Sequence, residues 1–246
     1  MSARPPTRAL TLLHVDHELV AIDKPPRMLA APGRGPEPCA VDVLRARPEL
    51  QDNPAVRIVH RLDQDASGVL LYARTLEAQR HLVRQFVERR VHKAYLALVG
   101  GVVPADGEID LPLAFDRRRN RVRVSSGAGK HALTRYRVVQ RLAGHTLLEC
   151  QPVTGRLHQI RAHLAAIGHP LAVDPLYGGG QSLLLSHYKI DYRPNRRRPE
   201  HPLIARLTLH AARITFEHPA TGQPLTLAAP WPKDLRAAVT QLSRLL

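Results

Sequence analysis

Short apolar runs separated by polar turns set the rhythm of this chain, and helical spacing is confined to a few stretches. Residues 10–14 and 18–22 read as two strands joined at Asp16-His17. Lys24-Pro25-Pro26 then ends regular structure, because proline cannot donate to a ladder. Residues 40–47 carry a weak helical pattern through Val41, Val43 or Leu44, and Arg47. The β-branched run 57–59 and the apolar run 69–73 flank a polar loop opened by His60-Arg61-Leu62-Asp63. Ser67-Gly68 punctuates the return, since glycine accepts backbone angles closed to other residues. Thr75 is suited to cap a helix over 76–90, in which Leu82, Val83, Phe86 and Val87 recur at helical spacing. Arg80, His81 and Arg84 fall elsewhere on that helix, as a solvated face or a binding contact.

Residues 91–99 alternate as a strand, with Tyr95, Ala97 and Val99 on one face and Ala94, Leu96 and Leu98 on the other. Gly100-Gly101 and Gly107 mark turns, and 133–140 with 146–153 form a hairpin about Ala143-Gly144. A helix follows between a Thr154 cap and a Gly168 terminator, with Leu157, Ile160, Leu164 and Ile167 as its apolar stripe. At about 100° per residue, Arg161 lies only about 40° from Leu157. It therefore sits at the margin of the buried face, where a guanidinium needs a carboxylate partner. Residues 206–210, 213–216 and 225–228 are strand sequence, with a turn at Thr221-Gly222. Residues 234–246 close the chain as an amphipathic helix on Leu235, Ala238, Val239, Leu242 and Leu245.

With 246 residues the chain forms one large domain or two small ones. The net charge of +15 points to a polyanion such as RNA, DNA or acidic lipid. Only 5 of the 36 basic residues are lysine, and arginine both forks onto phosphate and stacks on bases. That bias also fits an Arg-, Ala- and Pro-rich genome. Cys39 and Cys150 stand far apart in no metal-ligand spacing, which fits a reducing cytoplasm. No apolar run approaches the ~18 residues that span a bilayer, and the N-terminus lacks a signal-peptide core.

Arg119, Arg121 and Arg123 fall on one face of an expected strand, as a phosphate track or as charges guarding an exposed edge. His158 and His163 are five apart with no Glu between them, the wrong spacing for a zinc-binding helix, so no metal site is expected. A single aspartate near a turn is ordinarily a cap or Asx-turn residue. The string His60-Arg61-Leu62-Asp63-Gln64-Asp65-Ala66-Ser67-Gly68 says more. Followed by an apolar strand, it resembles the HRLDxxTSG signature of the RluA family of RNA pseudouridine synthases, with Ala66 in place of the usual Thr.

Further similarities follow in order. Lys24-Pro25-Pro26-Arg27 resembles KPxG with Arg27 for the glycine, and Lys93-Ala94-Tyr95 resembles KxY. Residues 155–163 resemble GRxHQIRxH, residues 168–178 resemble GHPLxxDxxYG, and Leu209-His210-Ala211 resembles LHA. The GHPL segment reads as structural. The resemblance implies an α+β fold: a long, mixed, mainly antiparallel sheet with a central catalytic cleft and flanking helices. It implies a single catalytic domain over 1–246, with a tail at about 1–9, a basic loop insertion at about 181–205, and no small N-terminal RNA-binding domain.

It further implies isomerisation of specific uridines in ribosomal or transfer RNA, without cofactor or metal, by a cytoplasmic monomer. Asp63 is the expected nucleophile, held ionised by Arg161, because an adjacent guanidinium favours the charged form of a carboxylate. Attack on the ribose, attack on the uracil ring and a glycal route all remain open. Tyr95 is expected to stack on the flipped base, at about 1–3 kcal/mol against the few kcal/mol of unstacking. His60, Arg61, Arg119, Arg121, Arg123, Arg156 and His158 are the expected RNA contacts, with Arg61 suited to fill the vacated stack and His60 to shape the loop. A non-catalytic RNA-binding or ribosome-assembly module on the same fold is the competing reading. A metal-dependent nuclease lacks the clustered carboxylates or histidines it would need.

Overall fold

A computed structural model describes residues 10–33, 35, 39–193 and 199–246, so the expected tail at 1–9 and Arg196-Arg197-Arg198 lie outside the described residues. The chain divides into two compact units, one of residues 1–90 and 215–229, the other of residues 91–214 and 230–246. Every ladder whose register is defined is antiparallel, and helices pack beside the sheets, so the fold is α+β.

In the first unit the expected hairpin is β1 (Thr11–Val15) and β2 (Leu19–Lys24), with a bulge between Leu12 and His14. β4 (Ser67–Ala73) pairs with β2 along one edge and with the short β3 (Arg57–Ile58) along the other. Every residue of β4 is buried, which is why its sequence is a continuous apolar run rather than an alternation. α1 (Ala40–Arg45) buries Ala40, Val41 and Leu44. Thr75 caps α2 (Leu76–Val87) as expected, its hydroxyl accepting from the Ala78 amide. The expected apolar stripe of α2 is only partly the buried one: Leu82 and Ala78 face the core, whereas Val83 and Val87 are exposed. The place of Val83 is taken by Gln85, fully buried and bonded twice to the main chain of Glu217 at 2.8 Å. An amide whose donor and acceptor are both met can be buried without leaving a polar group unsatisfied.

In the second unit β5 (His92–Gly100), β10 (His145–Pro152), β9 (Leu133–Leu142) and β6 (Gly107–Asp110) lie side by side in that order. Gly107 thus opens a strand instead of a turn, and a Cβ there would meet the Tyr136 ring. β7 (Leu113–Asp116) and β8 (Arg121–Val124) make a separate two-stranded sheet packed on α3 (Gln159–Ala166). The strands expected at 206–210 and 213–216 are one strand, β11 (Leu209–Glu217), whose last residues enter the first unit, where β12 (Pro224–Ala228) pairs with it.

α4 (Lys233–Ser243) closes the second unit, with Leu235, Ala238, Val239 and Leu242 packed against Leu98, Leu147 and Leu183. The expected insertion at 181–205 is therefore not all surface loop. Leu183 and Ile204 are core residues bridged to each other, and they anchor both ends of the segment.

Candidate active site

Asp63 lies at the start of a tight turn in the first unit, its carbonyl accepting the Ala66 amide at 3.1 Å. The loop around it is fixed largely through its main chain. Lys24 is fully buried, and its ammonium donates to the carbonyls of Pro25 (2.9 Å), Met28 (3.0 Å) and Gln64 (2.9 Å). The lysine of the KP segment thus ties its own turn to the residue that follows Asp63. Three aligned carbonyl dipoles are what a cation cut off from water requires.

His60 fixes the other side of the loop. Its Nε2 accepts the Leu71 amide at 3.1 Å, which puts the ring proton on Nδ1, and the ring stacks on Phe86 at 4.9 Å. Leu62 and Ala66 are buried, Arg61 is exposed and Asp63 is half-buried. Ala66 is buried in place of the usual Thr, and its amide closes the turn onto the Asp63 carbonyl. Arg27, in place of a glycine, adopts a left-handed backbone with φ of 63°.

In the second unit Tyr95 sits half-buried on β5, opposite Cys150. Burial lowers the ammonium of neighbouring Lys93 to about 8, since a charged amine loses its hydration there. Arg161 is buried on α3 and forks onto Asp174, with Nε to Oδ2 at 2.7 Å and Nη2 to Oδ1 at 2.9 Å. Asp174 is fully buried and also accepts the Leu176 amide at 3.2 Å. The guanidinium lies 5.0 Å from the centroid of the Tyr177 ring, whose hydroxyl bonds His158 Nδ1 and the Val122 amide. The GHPL segment, read as structural, therefore supplies the carboxylate that fixes the orientation of Arg161. The fork occupies the Nε–Nη2 edge of the guanidinium, so its end-on edge is the one that can serve a second anion.

The start of α3 departs from the expectation. Thr154 is not its cap: the helix begins after His158, which takes a left-handed φ of 49°. Leu157 therefore precedes the helix and is 51% exposed. Gln159 organises this approach, its oxygen accepting from the Thr154 hydroxyl (2.7 Å) and the Arg156 amide (2.9 Å), its nitrogen donating to the Leu133 carbonyl and the Thr134 hydroxyl (both 2.9 Å). His163 is fully buried between Thr134 and the Leu111 carbonyl, and burial lowers its pKa, which favours the neutral ring.

A family profile described as RNA pseudouridylate synthase matches residues 18–166, more than half of the chain and both motif loops. The ribosomal large subunit pseudouridine synthase D of Xanthomonas campestris is 40% identical over 244 residues, covering 98% of this chain and 71% of that one. Its counterpart in Neisseria meningitidis serogroup B is 36% identical, covering 94% of this chain and 60% of that one.

The chain belongs to the RNA pseudouridylate synthase family.

The RluA-type resemblance of the motifs is borne out, and the family places the chain among isomerases that convert uridine in RNA to pseudouridine. Two solved structures agree on the fold. Human RNA pseudouridylate synthase domain containing 1 superposes with a TM-score of 0.70 at 24% identity, covering 94% of this chain and 87% of that one. Human RNA pseudouridylate synthase domain containing 4 gives 0.68 at 25% identity, covering 94% and 92%.

The remaining expected RNA contacts are placed unequally. Arg121 and Arg123 share a face of β8, but Arg119 does not extend that row: it lies in the turn before the strand. Arg121 donates to the Leu176 carbonyl at 3.0 Å, and Arg156 to the His131 carbonyl at 3.0 Å. Among the described residues, the one histidine and carboxylate grouping with ligand spacing is His14, Asp16 and His218, in the first unit. Burial alone would raise the Asp16 carboxyl. Hydrogen bonds from His14 and His218, and from the amides of Leu19 and Glu18, bring it to about 2. His218 Nδ1 accepts the Ala220 and Thr221 amides, so its Nε2 carries the proton that faces Asp16. A metal ligand needs the reverse polarity, with the lone pair on Nε2. The group is a hydrogen-bonded clasp between two turns. Among the described residues no helix is long and apolar enough to cross a membrane.

Proposed function

We propose that this chain isomerises specific uridines of ribosomal or transfer RNA, with Asp63 as the nucleophile, Tyr95 stacking on the flipped base and Arg161 pairing with the Asp63 carboxylate. His60, Arg61, Arg119, Arg121, Arg123, Arg156 and His158 are the proposed RNA contacts. The observation that carries the reading is the setting of Asp63. A half-buried carboxylate starts a turn whose next residue is tied to a buried ammonium, so the acid is presented from an ordered loop. Such preorganisation is what a nucleophile in a flipped-base pocket requires. The names of the bacterial relatives favour ribosomal large-subunit RNA as the first substrate to test.

The chemistry needs no external group. The glycosidic bond of the uridine breaks, the base turns, and a carbon–carbon bond from C5 to the same ribose forms, with a proton leaving C5 and a proton taken up at the freed N1. No electrons enter or leave, so the proposal includes no cofactor. The buried guanidinium of Arg161, oriented by its fork onto Asp174, supports a role facing a second carboxylate. Both cysteines are unpaired and buried, which supports a reducing cytoplasm, and we propose a monomer. The test is tritium release from RNA labelled at C5 of uridine. Asp63→Asn should abolish release while RNA binding changes little, and turnover by that variant would end the proposal.

A further inference from the structure

We propose that the turn joining β7 and β8 is a stacking finger for RNA, in which Phe115 stacks on an unpaired base while Arg117, Arg118 and Arg119 hold the phosphates beside it. The root of the hairpin is fixed and its tip is not part of any core. Leu113 and Val122 pack on Ala162 and Tyr177, with Val124, Ala165 and Leu176 around them, and Arg121 is tied to the Leu176 carbonyl. One strand residue from the turn, Phe115 is 51% exposed, although its register partner Val122 is buried.

The turn itself is preordered. Asp116 Oδ1 accepts the amides of Arg118 at 3.0 Å and Arg119 at 3.2 Å, and Asn120 takes a left-handed φ of 47°. These bonds, the Arg119 amide foremost, hold the Asp116 carboxyl below the usual carboxylate range. The one acid at the tip is therefore occupied with the turn, and three consecutive exposed arginines fan out from it. Charges that guard a sheet edge stand on the strand. These stand in the turn, where they protect no edge; of the two arginines on β8, Arg121 is bonded inward and only Arg123 is exposed along the strand.

An exposed aromatic ring flanked by guanidinium groups matches one class of ligand, a polyanion that carries flat apolar faces. Among nucleic acids, only an unpaired or extruded base offers its face to a side chain. The inference rests on the preceding reading only for the choice of RNA as that polyanion.

The test uses the full chain and a uridine-free single-stranded RNA of about 20 nucleotides, so that catalysis plays no part in the signal. Phe115→Ala should weaken binding by about tenfold by fluorescence anisotropy, with an unchanged melting temperature, and Phe115→Trp should restore it. Affinity for a fully paired duplex of the same length should not respond to either change. Replacing Arg117, Arg118 and Arg119 together by Gln should lower the slope of log affinity against log salt by about 2, the value for three phosphate contacts on a single strand. A change of less than about twofold in Phe115→Ala, or an equal loss on single strand and duplex, overturns the stacking role. An unchanged salt slope overturns the phosphate contacts. None of these outcomes depends on turnover, so they stand apart from the fate of the Asp63 proposal.

Discussion

The loop that carries Asp63 is held through its main chain, whereas Arg161 is held through its side chain. In the first unit, the buried ammonium of Lys24 gathers three carbonyls and His60 takes a main-chain amide, so the loop keeps its path whatever Asp63 itself does. In the second unit, the guanidinium is fixed by one fully buried carboxylate, Asp174, together with the face of Tyr177. The difference teaches where substitution is tolerated. A reacting side chain on a clamped backbone can be exchanged without loss of fold, while a buried ion needs its partner to stay buried.

Removing Asp174 breaks this comparison most severely. Asp174→Ala leaves an uncompensated guanidinium in the interior, at a cost of about 3–5 kcal/mol. Urea unfolding should show the midpoint fall, and any folded fraction should have lost turnover. Asp63→Asn, by contrast, should unfold at nearly the wild-type midpoint. If Asp174→Ala stayed within about 1 kcal/mol of wild type, the fork would not be what fixes Arg161.

Lys24→Met tests the other half. The three carbonyls lose a charged donor and at least part of their bonding, which should cost about 2–3 kcal/mol. Because the clamp acts on the Asp63 loop, protease cleavage near Gln64 and Asp65 should rise with the loss of stability. A variant that melted lower yet kept that loop resistant to cleavage would show that Lys24 supports the fold without ordering the loop.

The comparison also explains how much the sequence disclosed. Strands were legible where one face or both is apolar, as in β4 and β10, because period-two and continuous runs carry the signal directly. Asp63 is proposed from a local string, whose family resemblance the matching profile supports. The fork of Arg161 onto Asp174 leaves no such string, because a carboxylate thirteen positions away in a turn-rich segment leaves no periodic trace. Gln85 and Gln159 were missed for a related reason. Both are buried amides whose hydrogen bonds are complete, and a hydropathy pattern counts them as polar surface. Leu157 misled in the opposite sense: its spacing fits the stripe of α3, but the left-handed turn at His158 starts the helix after it. Arg119 was placed on a strand because alternation cannot register a turn closed by Asp116 and Asn120.

Lys93 sharpens the contrast within the second unit, as a half-buried cation whose desolvation opposes its charge. Its folded-state pKa of about 8 lies below the ordinary 10.5, so between these values the unfolded chain binds more protons. The destabilising contribution is complete below about pH 8 and is relieved as pH rises toward 10.5. Lys93→Met removes it at every pH. The melting temperature of the variant relative to wild type should therefore be highest near neutrality, with the gap closing toward pH 10. A gap independent of pH would show that the ammonium is not under strain in the fold.

The smallest effect tests the clamp from its outer edge. Arg27 sits between two carbonyls that Lys24 gathers, Pro25 and Met28, and its φ of 63° is a conformation in which a side chain crowds the backbone. A left-handed residue other than glycine costs about 1–2 kcal/mol, and glycine gives back part of any gain through its freer unfolded chain. Arg27→Gly should therefore raise stability by about 0.5–1 kcal/mol, leave turnover unchanged and lower the net charge by one. Arg27→Ala removes the same charge and keeps the strain, so it separates the two causes. If both variants gained equally, relief of like-charge repulsion in this strongly basic chain would account for the change. If only glycine gained, the turn that positions Lys24 is strained by Arg27, and the clamp tolerates that strain because Pro25 and Met28 are held on either side of it.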